Sequence, residues 1–394
     1  MSWPLVVLAD VLSRSLESTA IDPDRTYKLV TVRMWGKGIA ERTRVPGSEM
    51  NGPRRPMVRK GQLLLSKIDA RHGALGIVPA ELDGAVVSND FPSFDIDPSR
   101  AMPGYVGWLV RSAAFVRLCE RASAGSTNRV RLREDKFLAL ALPFPTLETQ
   151  ASVSARLRSI ESAAVGIAGH AQRQTAIASS LLRGLFERLT SDAPRLPMTQ
   201  VAPLVRRAVD VDPSVEYPEL GVRSFGRGTF HKPAVLGADF GSKRVFWIEP
   251  NDLVFNIVFA WEGAVAVASE EDRGRVGSHR FLACVPGPGL ALAEYLRYYF
   301  LTPEGLGALG RASPGGAGRN RTLSMAGLGE IRVPVPAFDA QSYFAARLAD
   351  IERLANLWSH GAETSTELIA TTIEETIWGP GTPPPGDPFA ESLL

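Results

Sequence analysis

Chemistry requires reactive side chains at set spacings, and several short strings in this chain have the right residue types. The run Gly315-Gly316-Ala317-Gly318 has the glycine content of a phosphate cradle. No Lys-Ser/Thr follows it to hold a phosphate and its magnesium, so it reads as a flexible turn. The Gly-x-Gly pairs at Gly36 and Gly226 lack the third glycine and the strand-to-helix setting of a dinucleotide site. Glu134-Asp135-Lys136 is the compact acid and base group a nuclease would need, and its setting reads as a solvated face. The histidines His72, His170, His231, His279 and His360 show no metal-ligand spacing. Cys119 and Cys284 sit singly in apolar segments and read as small core residues, with neither a disulfide nor a zinc site implied. Asp387-Pro388-Phe389 is the nearest string to the Asn/Asp-Pro-Pro-aromatic motif that holds a flipped base, and it lacks one proline. The expectation is a protein with no catalytic residue, no metal and no cofactor.

The elements that would position any site come next. At 394 residues with 45% hydrophobic content the chain can fill the cores of two or three domains. Its 44 basic and 42 acidic residues leave a formal charge of +2, which by itself identifies no polyanionic partner. No window approaches the ~20 apolar residues of a membrane helix, and nothing near the first residues combines a basic start with a sustained apolar run, so the cytoplasm is the expected compartment.

Laid on itself, the chain repeats. Val32-Arg33-Met34-Trp35-Gly36-Lys37-Gly38 matches Val222-Arg223-Ser224-Phe225-Gly226-Arg227-Gly228, an offset of 190 that keeps an aromatic, a cation and both glycines. At the same offset Gly61 to Ser66 falls on Asn251 to Asn256, a turn followed by a buried strand in each copy. Asp22-Pro23 falls on Asp212-Pro213, Gly73-Ala74 on Gly263-Ala264, Ser88 on Ser278 and Tyr105 on Tyr295. A small insertion near Gly315 to Gly318 moves the offset to 191 or 192. Gly125-Ser126-Thr127-Asn128-Arg129 then corresponds to Gly318-Arg319-Asn320-Arg321, and Leu142-Pro143-Phe144-Pro145 to Val333-Pro334-Val335-Pro336.

Each copy leads into a helix. Gln150, Leu157, Ala164, Ala171, Ala178 and Leu185 recur every seventh residue, with Val153, Ile160, Ile167 and Leu181 as a second row. The second copy offers Gln341, Leu348, Ala355, Ala362 and Ile369, beside Phe344, Ile351 and Trp358. Helices of ~40 residues would run ~60 Å and pair with each other along these alanine-rich seams; the alternative is that each packs separately on its own module. The chain therefore divides into a module at 1–146, a helix at 147–190, a module at 191–337, a helix at 338–378 and a proline-rich disordered tail at 379–394.

With these features the chain resembles the DNA-specificity subunits of type I restriction-modification enzymes. The resemblance rests on Leu63 to Ser66, Gly125 to Arg129, Leu142 to Gln150 and its helix, and on Leu253 to Asn256, Gly318 to Arg321 and Val333 to Gln341. It extends to about Trp378. Where that family often has Glu-Gln, this chain has Glu148-Thr149-Gln150 and Asp339 before Gln341. The resemblance implies an α+β chain with two pseudo-symmetric target-recognition domains, each followed by a long helix, the helices pairing as an antiparallel coiled coil. It also implies double-stranded DNA read as two half-sites, and two methyltransferase subunits docked along the helices through Gln150, Leu157, Ile160, Ile167, Leu181, Gln341, Leu348, Ile351 and Trp358. A translocating nuclease subunit is a further, optional partner.

Under that resemblance, the residues expected to meet DNA fall into two groups. Arg33, Lys37, Asn128 and Arg129 recur as Arg223, Arg227, Asn320 and Arg321, with Arg319 alongside, and suit the fold or the DNA backbone. Unmatched Lys67, Arg71, His72, Lys243 and Arg244, with His279, suit base reading, since two half-sites differ. Arg129, Arg131 and Arg133 alternate along one strand face. Two other readings fit the same residues: a DNA-binding subunit of a different phage-defence system, and a two-module scaffold for protein or RNA.

Overall fold

The computed structural model describes residues 3–124, 130–315 and 321–379. Two compact units emerge: one runs to Ala171 and resumes at Trp358, the other comprises Gln172–Leu357. The long helices thus form no unit of their own, because each unit takes one module and a half of each helix.

The 190-residue offset is written into the elements themselves. The hairpin of Thr26–Val32 and Ile39–Pro46 in the first unit has its counterpart in Glu216–Val222 and Thr229–Leu236 in the second. Both hairpins slip register once, between Leu29 and Val30 and between Pro218 and Leu220, a bulge that sharpens their twist. Each unit also has a four-stranded antiparallel sheet. In the first the strand order is Leu12–Arg14, Ser93–Ile96, Leu63–Leu65, Leu75–Ile77; in the second it is Leu204–Val205, Phe281–Cys284, Leu253–Asn256, Val265–Val267. Leu63 to Leu65 and Leu253 to Phe255 are fully buried, which explains their unbroken apolar run: these strands have core on both faces. Helices Pro103–Leu109 and Ala113–Arg121, and Ala293–Leu301 and Pro303–Arg311, cover the sheets.

Both cysteines lie in these cores, and burial holds their thiols protonated well above the usual range. Two glycines show how tightly the copies agree. A Cβ on Gly47 would lie 1.9 Å from the Asp22 carbonyl, and one on Gly237 2.0 Å from that of Asp212. The Asp-Pro loop is fixed in each unit by a tyrosine hydroxyl, Tyr27 or Tyr217, that accepts the Asp N–H at 2.8 or 2.9 Å. Gly47→Ala or Gly237→Ala must push this loop off its tyrosine. Each is expected to cost about 2–3 kcal/mol, measured by urea denaturation, whereas alanine at Gly166, where a Cβ would meet nothing, should stabilise its helix.

The first long helix spans Leu147–Thr190 and the second Phe338–Trp378. Each is clamped to its own module by one fully buried glutamine. The Gln150 Oε1 accepts the Met102 N–H at 2.9 Å, while its Nε2 donates to the carbonyls of Arg100 (2.9 Å) and Pro145 (2.8 Å). Gln341 repeats this with the Leu292 N–H (3.1 Å) and the carbonyls of Leu290 and Pro336 (2.9 Å each). Tyr105 and Tyr295 donate to the carbonyls of Pro143 and Pro334, the other proline of each pair. The Pro-x-Pro prolines end the last strand and leave carbonyls that no neighbouring strand takes.

In both units the two long helices meet running in opposite directions. In the first, Val153 and Leu157 from the start of one helix share a core with Ile373, Ile377 and Trp378 from the end of the other. In the second, Leu182 and Phe186 join Phe344 and Leu348. The seven-residue row holds through Ala164 and Ala171, but Ile167 and Leu181 are exposed, and Leu182 and Phe186 are buried in place of Leu181 and Leu185. The expected second row thus fails after Ile160. A straight helix drifts ~20° per heptad, which over four heptads amounts to almost one residue.

Candidate nucleic-acid interface

The hairpin tip is the feature the two modules share most closely. In the first, Trp35 and Gly36 have φ of 62° and 65°, and their N–H groups donate to the carbonyls of His72 (2.8 Å) and Gly73 (3.1 Å). In the second, Phe225 and Gly226 have φ of 61° and 65° and donate to Glu262 and Gly263, 2.9 Å each. The receiving turn ends on Gly73 or Gly263, also left-handed. The aromatic rings remain outside, 68% and 69% exposed. Arg33, Lys37, Arg223 and Arg227 are exposed around them. Arg227 lies over Phe225 (5.7 Å), Arg223 over Phe230 (4.8 Å), and His72 is tilted against Trp35 (5.7 Å).

A second common feature is a cleft under each hairpin. Arg42, Val45, Glu49, Ser88 and Phe91 line it in the first module, in a volume of about 270 Å³; Arg55, whose Nε is buried with no partner among the described residues, also borders it. The equivalent residues Lys232, Val235, Asp239, Ser278 and Phe281 line about 510 Å³ in the second. There the cleft also gathers Lys243, His279 and Arg280, with Glu219 on its wall, so Lys243 and His279, far apart in sequence, share one recess of mixed charge. Exposed Arg244 lies near Arg206, which stacks on Phe246 at 4.4 Å. Burial first, and then the Arg244 charge, holds the Arg206 guanidinium below its usual range.

Other sequence candidates are committed within the protein. Lys67 pairs with Glu134 at 2.5 Å, and the same carboxylate takes Arg14 at 3.1 Å, which also occupies the acid of the Glu134-Asp135-Lys136 string. Arg131 pairs with Asp90 at 2.9 Å. Arg321 stacks on Trp261 and donates to the carbonyls of Ser313 and Gly310, so its guanidinium is held by the protein. Arg71 is half-buried. Asn128, Arg129, Arg319, Asn320 and residues 380–394 of the expected tail lie outside the described residues.

One group was missed by the sequence reading. His231 Nε2 lies 2.9 Å from Asp272, a fully buried carboxylate that also accepts from the Thr229 hydroxyl and the Ser269 N–H. Burial pushes the Asp272 carboxyl up, but the Ser269 N–H, His231, Thr229 and the Ser269 hydroxyl outweigh it and hold the group below its ordinary range. The half-exposed imidazole is thereby fixed in orientation. At the repeat offset the first module has Glu41 and Leu82, so this pair belongs to one module alone.

Of the residues expected to dock other subunits, Gln150, Leu157, Gln341 and Leu348 are buried in their own units and have no surface to offer. Ile160, Ile351 and Trp358 are half-buried, while Ile167 and Leu181 are exposed, with Val165 and Ile177 beside them and Leu354, Leu357 and Leu368 exposed on the other helix. No described helix is long and apolar enough to cross a membrane.

Duplicated α+β modules, each clamped to a long helix by a buried glutamine, define a tandem-module architecture. No protein-family model matches the chain, and no curated protein matches it. Among solved structures, the HsdS subunit from Thermoanaerobacter tengcongensis superposes with a TM-score of 0.57 at 15% identity, over 96% of this chain and 97% of its own. A chain from a study of complex assembly and conformational transition in the type I R-M system gives 0.66 at 18% identity, over 95% and 97%. The chain has the fold of a type I restriction-modification specificity (S) subunit.

Proposed function

We propose that this chain is the non-catalytic DNA-specificity subunit of a type I restriction-modification complex, acting in the cytoplasm. One module reads each half of a bipartite site, and two methyltransferase subunits dock along the exposed apolar residues of the helices. A translocating nuclease subunit can join them. The observation that carries this reading is the repetition itself: two modules whose hairpin, four-stranded sheet, covering helices and long helix recur 190 to 191 residues apart, in a fold that matches S subunits over nearly the whole chain. Two half-sites require two readers at a fixed separation, and long helices supply a rigid spacer. Residues that differ between copies, such as the oriented His231 and the Lys243 and His279 recess, suit bases; matched cations suit phosphates.

Co-expression with a type I methyltransferase subunit, followed by mapping of methylated bases in host DNA, tests the reading. The expected result is a split motif with a fixed non-specific gap, and exchange of residues 1–146 for the same module of a relative should change one half of it only. A continuous short motif, or a change in both halves, would overturn the proposal.

A further inference from the structure

Trp35 and Phe225 pose a physical problem that the fold does not answer. A bulky side chain at φ near +60° is disfavoured, and such strain persists only where the surroundings enforce it. Here two backbone hydrogen bonds enforce it in each module, yet the ring so placed buries little, being 68% or 69% exposed. Glycine would fit the same backbone without strain, as it does at the next position. The arrangement recurs with the same neighbours: cations two residues before and after the ring, Arg33 and Lys37 or Arg223 and Arg227. An aromatic held out between two exposed cations is complementary to a nucleic-acid groove, where an apolar side chain packs against base and sugar edges and cations meet the flanking phosphates. Because both modules carry it, it suits the part of DNA binding that two different half-sites would have in common, the backbone and groove, better than the reading of bases.

We propose that Trp35 and Phe225 are twin apolar wedges by which each module enters a DNA groove independently of sequence, with the flanking cations on phosphates. The inference rests on the DNA-binding function proposed above. It separates affinity from specificity: the wedges supply the first in both halves, and the unmatched residues supply the second.

The test uses the full chain bound to its methyltransferase subunit, with two probes: a fluorescein-labelled 40-base-pair duplex of random sequence, and one carrying the mapped motif. Trp35→Ala and Phe225→Ala should each weaken binding to both duplexes by about 5- to 30-fold, the lower part of the range for one lost stacking contact, with the methylated motif unchanged. Trp35→Phe should bind like the parent. Arg33→Ala or Lys37→Ala should lower the salt slope by about one, and Trp35→Ala should leave the slope intact. Trp35→Gly provides the decisive control: it relieves the backbone, so Tm should hold or rise while binding falls as in the alanine variant.

Unchanged affinity in both alanine variants overturns the wedge. So does loss of the methyltransferase subunit on gel filtration, which would make the rings protein anchors, and so does alteration of one half-motif. A parent complex that binds neither duplex overturns the functional reading; a parent that binds, with alanine variants that bind equally, overturns the wedge alone.

Discussion

Gln150→Leu is expected to lower stability by about 3–4 kcal/mol, although leucine is nearly isosteric and more hydrophobic. The amide satisfies the Met102 N–H and two carbonyls, those of Arg100 and Pro145. Leucine replaces none of these bonds, and an unsatisfied buried backbone group costs about 1–3 kcal/mol. Gln341→Leu should produce a loss of similar size through Leu292, Leu290 and Pro336. Urea denaturation monitored by tryptophan fluorescence would show the fall as a lower midpoint. A loss under 1 kcal/mol in both variants would mean that the clamp is idle and that apolar packing alone fastens the helices. Hydrogen exchange should reveal the local consequence: faster exchange at the start of the clamped helix and in the segment it holds.

Trp378→Ala is the second large effect, at about 3–5 kcal/mol, in the range for emptying a buried aromatic site. Trp378 packs with Ile373 and Ile377 in the core of the first unit, and its Nε1 donates to the Ser112 hydroxyl at 3.0 Å. That hydroxyl also caps the helix Ala113–Arg121, whose Ala113 and Ala114 N–H groups are taken by Glu374 at 3.0 and 2.8 Å. Removing the indole therefore leaves a cavity and weakens a helix start. Exchange should quicken in the first unit, at Phe115 and Leu157, while Leu253 to Phe255 in the second keep their protection. Trp378→Phe, which loses the hydrogen bond and part of the volume, should cost less than half as much. Equal exchange in both units would contradict the assignment of this segment to the first.

The repeat and the two helices were legible in the sequence for a simple reason. A strand buried on both faces needs an unbroken apolar run, and a left-handed turn needs glycine, so Leu63 to Leu65 with Gly73, and Leu253 to Phe255 with Gly263, had to look alike. The function of the glutamines was not legible. Seven-residue spacing placed Gln150 and Gln341 on the seam, and only the folded backbone shows carbonyls converging on each amide. The second seam row failed because counting in sevens ignores the drift of a straight helix, which replaces Leu181 with Leu182. Among the cations, sequence gives charge but not partners: Lys67 meets Glu134 and Arg131 meets Asp90 across long stretches of chain. The His231 and Asp272 pair left one faint trace, a histidine and an aspartate where the other copy has Glu41 and Leu82.

The return of the second helix to the first unit imposes an order of events during synthesis. The second unit is a single continuous stretch, so all its core is available once residue 357 has left the ribosome. The first unit waits for Ile373, Ile377 and Trp378, which arrive some 200 residues after Ala171, roughly 10–40 s later at ordinary elongation rates. During that interval the face around Ser112 lacks its tryptophan and remains open to water, a nascent-chain vulnerability that places the module made first among the last parts to be finished.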